Sequence, residues 1–169
     1  IVIDAIVVAV TILGGIYVGR LLRMDRETAL LTSVGSGICG AAAVLGAEST
    51  IRTAPYKTAV AVATVVIFGT ISMFLYPVLY RSGVFQLTPQ EMGIYAGSTM
   101  HEVAHAVGGG NAMGPEVADV AVIVKMIRVM LLVPVLLILG VWVARRNAKS
   151  GDTAGKGRVA VPWFAFGFL

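Results

Sequence analysis

Charge, cysteine and histidine are all scarce in this sequence. Lys, Arg, Asp and Glu make up 13% of the 169 residues while hydrophobic residues make up 57%, and a soluble domain is about one-quarter charged. That shortage excludes an ordinary water-soluble globule. The formal net charge of +4 comes from basic residues in short loops rather than a basic face, so no nucleic-acid partner is expected. A single cysteine, Cys39, excludes an intrachain disulfide and reads as a small residue in a tight helix crossing. There are only two histidines, and His101 and His105 sit in one stretch with Glu102 between them.

What remains is long uncharged runs separated by short charged loops, the pattern of an all-α polytopic membrane protein. Residues 1–19 are apolar apart from Asp4, and 58–80 carry no charge at all; both are long enough to cross a bilayer. A third apolar stretch, 115–144, opens at Pro115 and is interrupted by Asp119, Lys125 and Arg128. Pro134 is expected to kink it by leaving the Met130 carbonyl without its helical partner. A further helix starts at about Val159 and is cut off at Leu169. The chain starts without Met and stops inside an apolar run, so a fragment of a longer protein is expected.

Segments 29–47 and 92–110 are different in kind. The first carries Ser33, Gly35, Ser36, Gly37, Cys39, Gly40 and Gly46; the second carries Gly97, Ser98, Thr99 and Gly108 to Gly110. Both are predicted to be broken or re-entrant helices. The positive-inside rule favours the two behaving alike and puts the basic loop 145–158 on the cytoplasmic side. Tyr76, Tyr80, Tyr95, Trp142 and Trp163 read as interfacial anchors.

Within 92–110, His101-Glu102-Val103-Ala104-His105 spells the zinc-protease pattern, in which two histidines on one helical face hold a metal and the glutamate polarises water. No third histidine exists to complete the set, and Glu116 and Asp119 follow in no protease pattern. The competing readings are polar residues at a helix end, with Gly108 to Gly110 ending the helix, or a proton-responsive group of His101 and Glu102 inside the membrane. No metal or other cofactor is expected.

Four blocks in fixed order carry a resemblance: residues 36–43, 62–70, 97–104 and Val124-Lys125-Met126-Ile127-Arg128-Val129. Together they resemble the YeiH-type family of bacterial inner-membrane proteins over residues 8–169. That resemblance implies about ten transmembrane segments in the whole protein and a role as sulfate exporter. Relatives tend to carry glutamine where this chain has His105, which argues against a required metal ligand there.

The combined expectation is an inner-membrane secondary transporter working by alternating access, with a small oxyanion as partner and no catalytic residues. A zinc protease using His101 and His105, or a structural or regulatory subunit, is the alternative. Substrate contacts are expected from Ser36, Gly37, Cys39, Gly40, Ser98, Thr99, Lys125 and Arg128, and proton coupling from His101 and Glu102. In this reading Ser33 or Ser36, and Ser98 and Thr99, cap half-helix N-termini facing the anion. Lys125 and Arg128, three apart on one helical face, supply countercharge; the alternative for them is to neutralise Asp119 and Glu102 or to snorkel to headgroups.

Overall fold

The computed structural model describes residues 2–149, and all regular structure among them is α-helical. The helix expected over 159–169 and the loop from residue 150 onward lie outside the described residues. In chain order the helices are α1 (Val2–Leu21), α2 (Arg26–Gly37), α3 (Ala41–Ile51), α4 (Pro55–Arg81), α5 (Pro89–Thr99), α6 (Val103–Met113), α7 (Pro115–Met130) and α8 (Leu132–Lys149). Among the described residues, Val2–Leu21, Pro55–Arg81 and Pro115–Val143 are long and apolar enough to cross a membrane. The last of these joins α7 to α8. Pro134 lacks the N–H that would continue the helix regularly, and the two helices are separated at Leu131.

The crossing helices show how a membrane protein divides its faces. Along α4, Thr58, Ala61, Val65 and Gly69 are buried while Phe68, Ile71, Phe74 and Val78 are exposed. Small residues at helical spacing let neighbouring backbones approach closely, and the large apolar side chains are left for lipid. On α1 the inward stripe runs through Asp4, Val8 and Gly19.

Segments 29–47 and 92–110 each form two helices rather than one. α2 begins at Asp25, whose side chain accepts the N–H groups of Glu27 and Thr28. Beside it sit residues that follow α3: Lys57 Nζ is 2.9 Å from Asp25 Oδ2 and 2.8 Å from Glu27 Oε2, and the Thr53 hydroxyl donates to Glu27 at 2.5 Å. Entry and exit of α2–α3 are therefore on the same face, so the pair is a re-entrant hairpin. α5–α6 behaves likewise from the opposite face. It starts in a capping box between Thr88 and Glu91, with Tyr95 against Tyr76 and Phe85, and it ends where Arg81 Nη2 donates to Ala112 O at 2.6 Å. Arg81 is the last residue of α4, so both ends of this hairpin lie where α4 finishes. The glycines at 108–110 do not end α6, which runs on to Met113.

α4 carries the chain from the first face to the second, and α7–α8 carries it back, bringing Trp142 to 5.6 Å from the Arg26 guanidinium. The unit of hairpin plus crossing helix thus occurs twice in opposite orientation, an inverted repeat. Sequence echoes it: one constant spacing separates Gly35, Ser36, Ala42 and Gly46 from Gly97, Ser98, Ala104 and Gly108. With 12 residues in α2 and 11 in α5, the hairpins reach about 18 and 16 Å inward. Together they account for the ~30 Å of hydrocarbon, so their tips meet near the bilayer centre.

Lys57 clamps the mouth of the first hairpin, and its hydrogen bonds hold the Asp25 and Glu27 carboxyls below their usual range. A carboxyl depressed on folding stabilises the fold above its unfolded pKa, and that contribution is lost as pH falls through the folded one. Lys57→Met should lower the melting temperature of the purified protein at pH 7. The difference from wild type should narrow below about pH 4, as read by scanning fluorimetry.

Candidate functional site

A helix that stops inside the membrane leaves carbonyl groups without partners at its C-terminus, and no water is there to meet them. α2 stops at Gly37 and α5 at Thr99. Two cations from α7 meet those carbonyls. Arg128 Nε donates to Gly37 O at 2.7 Å and Nη2 to Ser36 O at 3.3 Å, while Lys125 Nζ donates to Ile38 O at 3.1 Å and also to Met100 O. One ammonium therefore ties both tips together, through residues that occupy matching positions in the two repeats. Lys125 is 0% exposed and Arg128 1%, so neither snorkels.

The opposite helix ends, at α3 and α6, present free N–H groups and a positive partial charge. Gly40 precedes α3 with φ +74 and no capping side chain. There Glu102, reaching across from the break in the second hairpin, accepts Ala41 N at Oε1 over a long 3.4 Å. The chain thus places its own carboxylate at a helix end suited to an anion. Gly40 is required twice over: its φ favours glycine, and a Cβ there would lie 2.5 Å from Glu102 Cγ.

On its other side Glu102 Oε2 is 4.0 Å from His105 Nε2, which also lies 3.4 Å from Thr70 Oγ1. The Thr70 hydroxyl already donates to Val66 O at 2.8 Å, so a hydrogen bond with His105 requires the proton on Nε2. Gly69 makes room for this ring, since a Cβ would lie 2.5 Å from His105 Nδ1. His105 Nδ1, His101 Nδ1 and Arg128 Nη1 are buried without a hydrogen-bond partner.

Asp4 of α1 completes the cluster. It is buried and accepts the Ser98 hydroxyl at 3.3 Å. The crossing therefore holds two basic side chains, Lys125 and Arg128, against two acidic ones, Asp4 and Glu102. A bound dianion would leave an uncompensated negative charge unless protons came with it.

The sequence-predicted residues do converge, but not in the expected roles. Ser36, Gly37, Ser98 and Thr99 lie at the C-terminal, negative ends of α2 and α5, so none caps an N-terminus. Ser33 and Thr99 donate back to Ala29 O and Tyr95 O in their own helices. Cys39 and Gly40 form the first break and are buried; His101 and Glu102 form the second. His101 precedes α6 while His105 lies within it, so the two do not share the continuous helical face of the zinc-protease pattern. Among the described residues no group of three His, Cys, Asp or Glu gathers to hold a metal. Asp119 is exposed and away from the cluster's hydrogen bonds. Asp4 and Thr70 were not anticipated. Asp4 had a signal, as the lone charge in an apolar run; Thr70 stood in the 62–70 block of the resemblance with no role attached to it.

Two opposed re-entrant hairpins meeting at a buried ionic cluster define the chain as a polytopic α-helical membrane protein with a polar centre. It belongs to the family described as "Conserved hypothetical protein 698", whose model matches residues 1–169 and which is the same family as the YeiH-type proteins. A UPF0324 membrane protein of Bacteroides thetaiotaomicron is 67% identical over 168 residues, which are 99% of this chain and 50% of that protein. One from Pseudomonas putida is 53% identical over 99% of this chain and 48% of its own length. A third, from Bordetella bronchiseptica, is 57% identical over 96% of this chain and 51% of its own. The chain spans about half the length of the curated relatives it matches. No solved structure matches it.

Gly40→Ala should cost about 1–3 kcal/mol, lowering the melting temperature by roughly 2–4 °C per kcal/mol. Gly14→Ala, where a Cβ meets nothing within 4 Å, should be neutral or stabilising in the middle of α1. Thermal scans of the two variants side by side check this.

Proposed function

We propose that the full-length protein is a secondary transporter of small inorganic oxyanions in the bacterial inner membrane, with sulfate, the cargo that the resemblance to the YeiH-type proteins implies, as the first candidate. The observation that carries this reading is the crossing itself. Discontinuous helices from opposite faces meet at mid-membrane, and transporters place substrates at such breaks. Ionisable residues buried at that depth are costly and as a rule serve a pathway.

In this mechanism the anion takes the positive ends of α3 and α6, at Cys39, Gly40 and Ala41 on one hairpin and Val103 on the other. It displaces the Glu102 carboxylate from Ala41 N. Arg128, with Nη1 free, is the side-chain donor. Because the two cations are already matched by two carboxylates, entry of a dianion favours protonation of Glu102, with His101 and His105 beside it as proton carriers. Return of the Glu102 negative charge then expels the anion. Alternating access follows from the inverted repeat, in which each hairpin closes the pathway from one face. Among the described loops and helix ends, basic residues gather on the face of Arg23, Arg52 and Lys57, leaving Arg81 on the other; this orients the basic face to the cytoplasm. No catalytic step is assigned.

The test is sulfate flux in proteoliposomes holding the full-length protein, with and without a pH gradient. Wild type should accumulate sulfate against its gradient when the pH gradient is imposed. Glu102→Gln should lose that pH response while still exchanging sulfate down its gradient. Absence of flux for sulfate, sulfite, thiosulfate and phosphate under every gradient would overturn the transporter reading. A retained pH response in Glu102→Gln would remove Glu102 from the coupling role only.

A further inference from the structure

We propose that the carbonyl oxygens of Ile38 and Met100 form a monovalent-cation site, which this chain fills with its own Lys125 ammonium. Three observations carry it. First, the oxygens belong to the C-terminal sides of two half-helices, where the partial charge is negative, and they come from opposite hairpins. Unwound carbonyls and half-helix C-termini are groups that hold Na⁺ at the mid-membrane sites of other transporters. Second, the ammonium makes both contacts at once, to Ile38 O at 3.1 Å and to Met100 O, and is fully buried. It stands where a desolvated ion would stand. Third, a cation there adds to Arg128 as a counterpart to the acidic side chains of Asp4 and Glu102.

The pseudo-symmetry separates this role from plain packing. Pro55 and Pro115 open the crossing helices of the two repeats, and the residue as far beyond Pro55 as Lys125 is beyond Pro115 is Val65. Val65 is equally buried. The scaffold therefore accommodates an apolar side chain at this level of a crossing helix, and a lysine appears only where two orphan carbonyls converge. A cation built into the chain cannot dissociate, so the crossing stays assembled whatever the ionic composition on either side. At this crossing, then, no free sodium ion is needed to hold the tips together.

Truncating Lys125 should open the site to a free ion. The experiment is a thermal scan of the purified full-length protein in 200 mM sodium, lithium, potassium or choline chloride. The wild type and Lys125→Arg should melt at the same temperature in all four salts. Lys125→Ala should melt well below wild type in choline and regain about 3 °C or more in sodium or lithium, since an ion that binds only the folded state stabilises it. Lys125→Asn, which adds an amide oxygen beside the two carbonyls, should respond more strongly and covers the case in which the alanine variant does not fold. The proposal is overturned if sodium stabilises the wild type, if both neutral variants ignore every alkali cation, or if both fail to fold in sodium as in choline. These readouts involve no flux, so they stand or fall apart from the transport reading.

Discussion

A backbone that ends inside a bilayer must have its last carbonyls satisfied by the protein itself, and in this chain Lys125 and Arg128 do that. Two such ends meet here, and each would be costly to leave exposed to hydrocarbon. Both cations sit on α7, three residues apart, so one helix face reaches both tips. A buried ammonium or guanidinium is itself costly unless it is paired and hydrogen-bonded. The cations and the broken helices therefore require each other: neither could occupy the middle of a membrane alone.

From that mutual dependence the small-residue composition follows. For Lys125 to reach Ile38 O and Met100 O, α5 must lie close against α7. A Cβ at Gly97 would come within 2.6 Å of Ala121 O, and one at Gly93 within 2.6 Å of Val120 Cβ. On the other hairpin a Cβ at Gly35 would lie 2.5 Å from Val44 Cγ2. These glycines are thus engaged in bringing helices together, and that closeness brings the charged groups to one point. Packing and site are consequences of one geometry.

Much of this was legible in the sequence. The apolar runs around α1, α4 and α7–α8 were plain because a bilayer demands length and hydrophobicity, and both are local properties. The two small-residue segments were recognisable as irregular because lipid is a poor neighbour for glycine and serine. Their polarity was not recognisable. Ser36 and Ser98 resemble N-caps in composition, but which end of a half-helix they occupy depends on where the chain breaks, and the breaks fall after them at Ile38–Gly40 and Met100–Glu102. Re-entry, too, is decided by contacts distant in sequence, such as Lys57 with Asp25 and Arg81 with Ala112. The repeat linking Gly35-Ser36 to Gly97-Ser98 is present in the letters, and the same spacing pairs Ile38 with Met100.

The repeat is symmetric in backbone and asymmetric in chemistry, and the asymmetry is the more telling property. Matching positions pair Cys39 with His101, Gly40 with Glu102 and Ala43 with His105, so the first tip has a lone thiol where the second has two imidazoles and a carboxylate. The crossing helices differ in the same way, Val65 standing in α4 where α7 has Lys125. Symmetry would suffice for a scaffold opening alternately to two faces. It would not distinguish an empty centre from a loaded one. Under the transport reading proposed above, that distinction falls to Glu102, the tip carboxylate that touches the opposite hairpin at a helix end that attracts anions. A buried ammonium holds the tips together, and a carboxylate lies against the helix end left open. With the tips tied to α7 by hydrogen bonds and the carboxylate free to leave Ala41 N, Glu102 is the part of the crossing that can change without dismantling the rest.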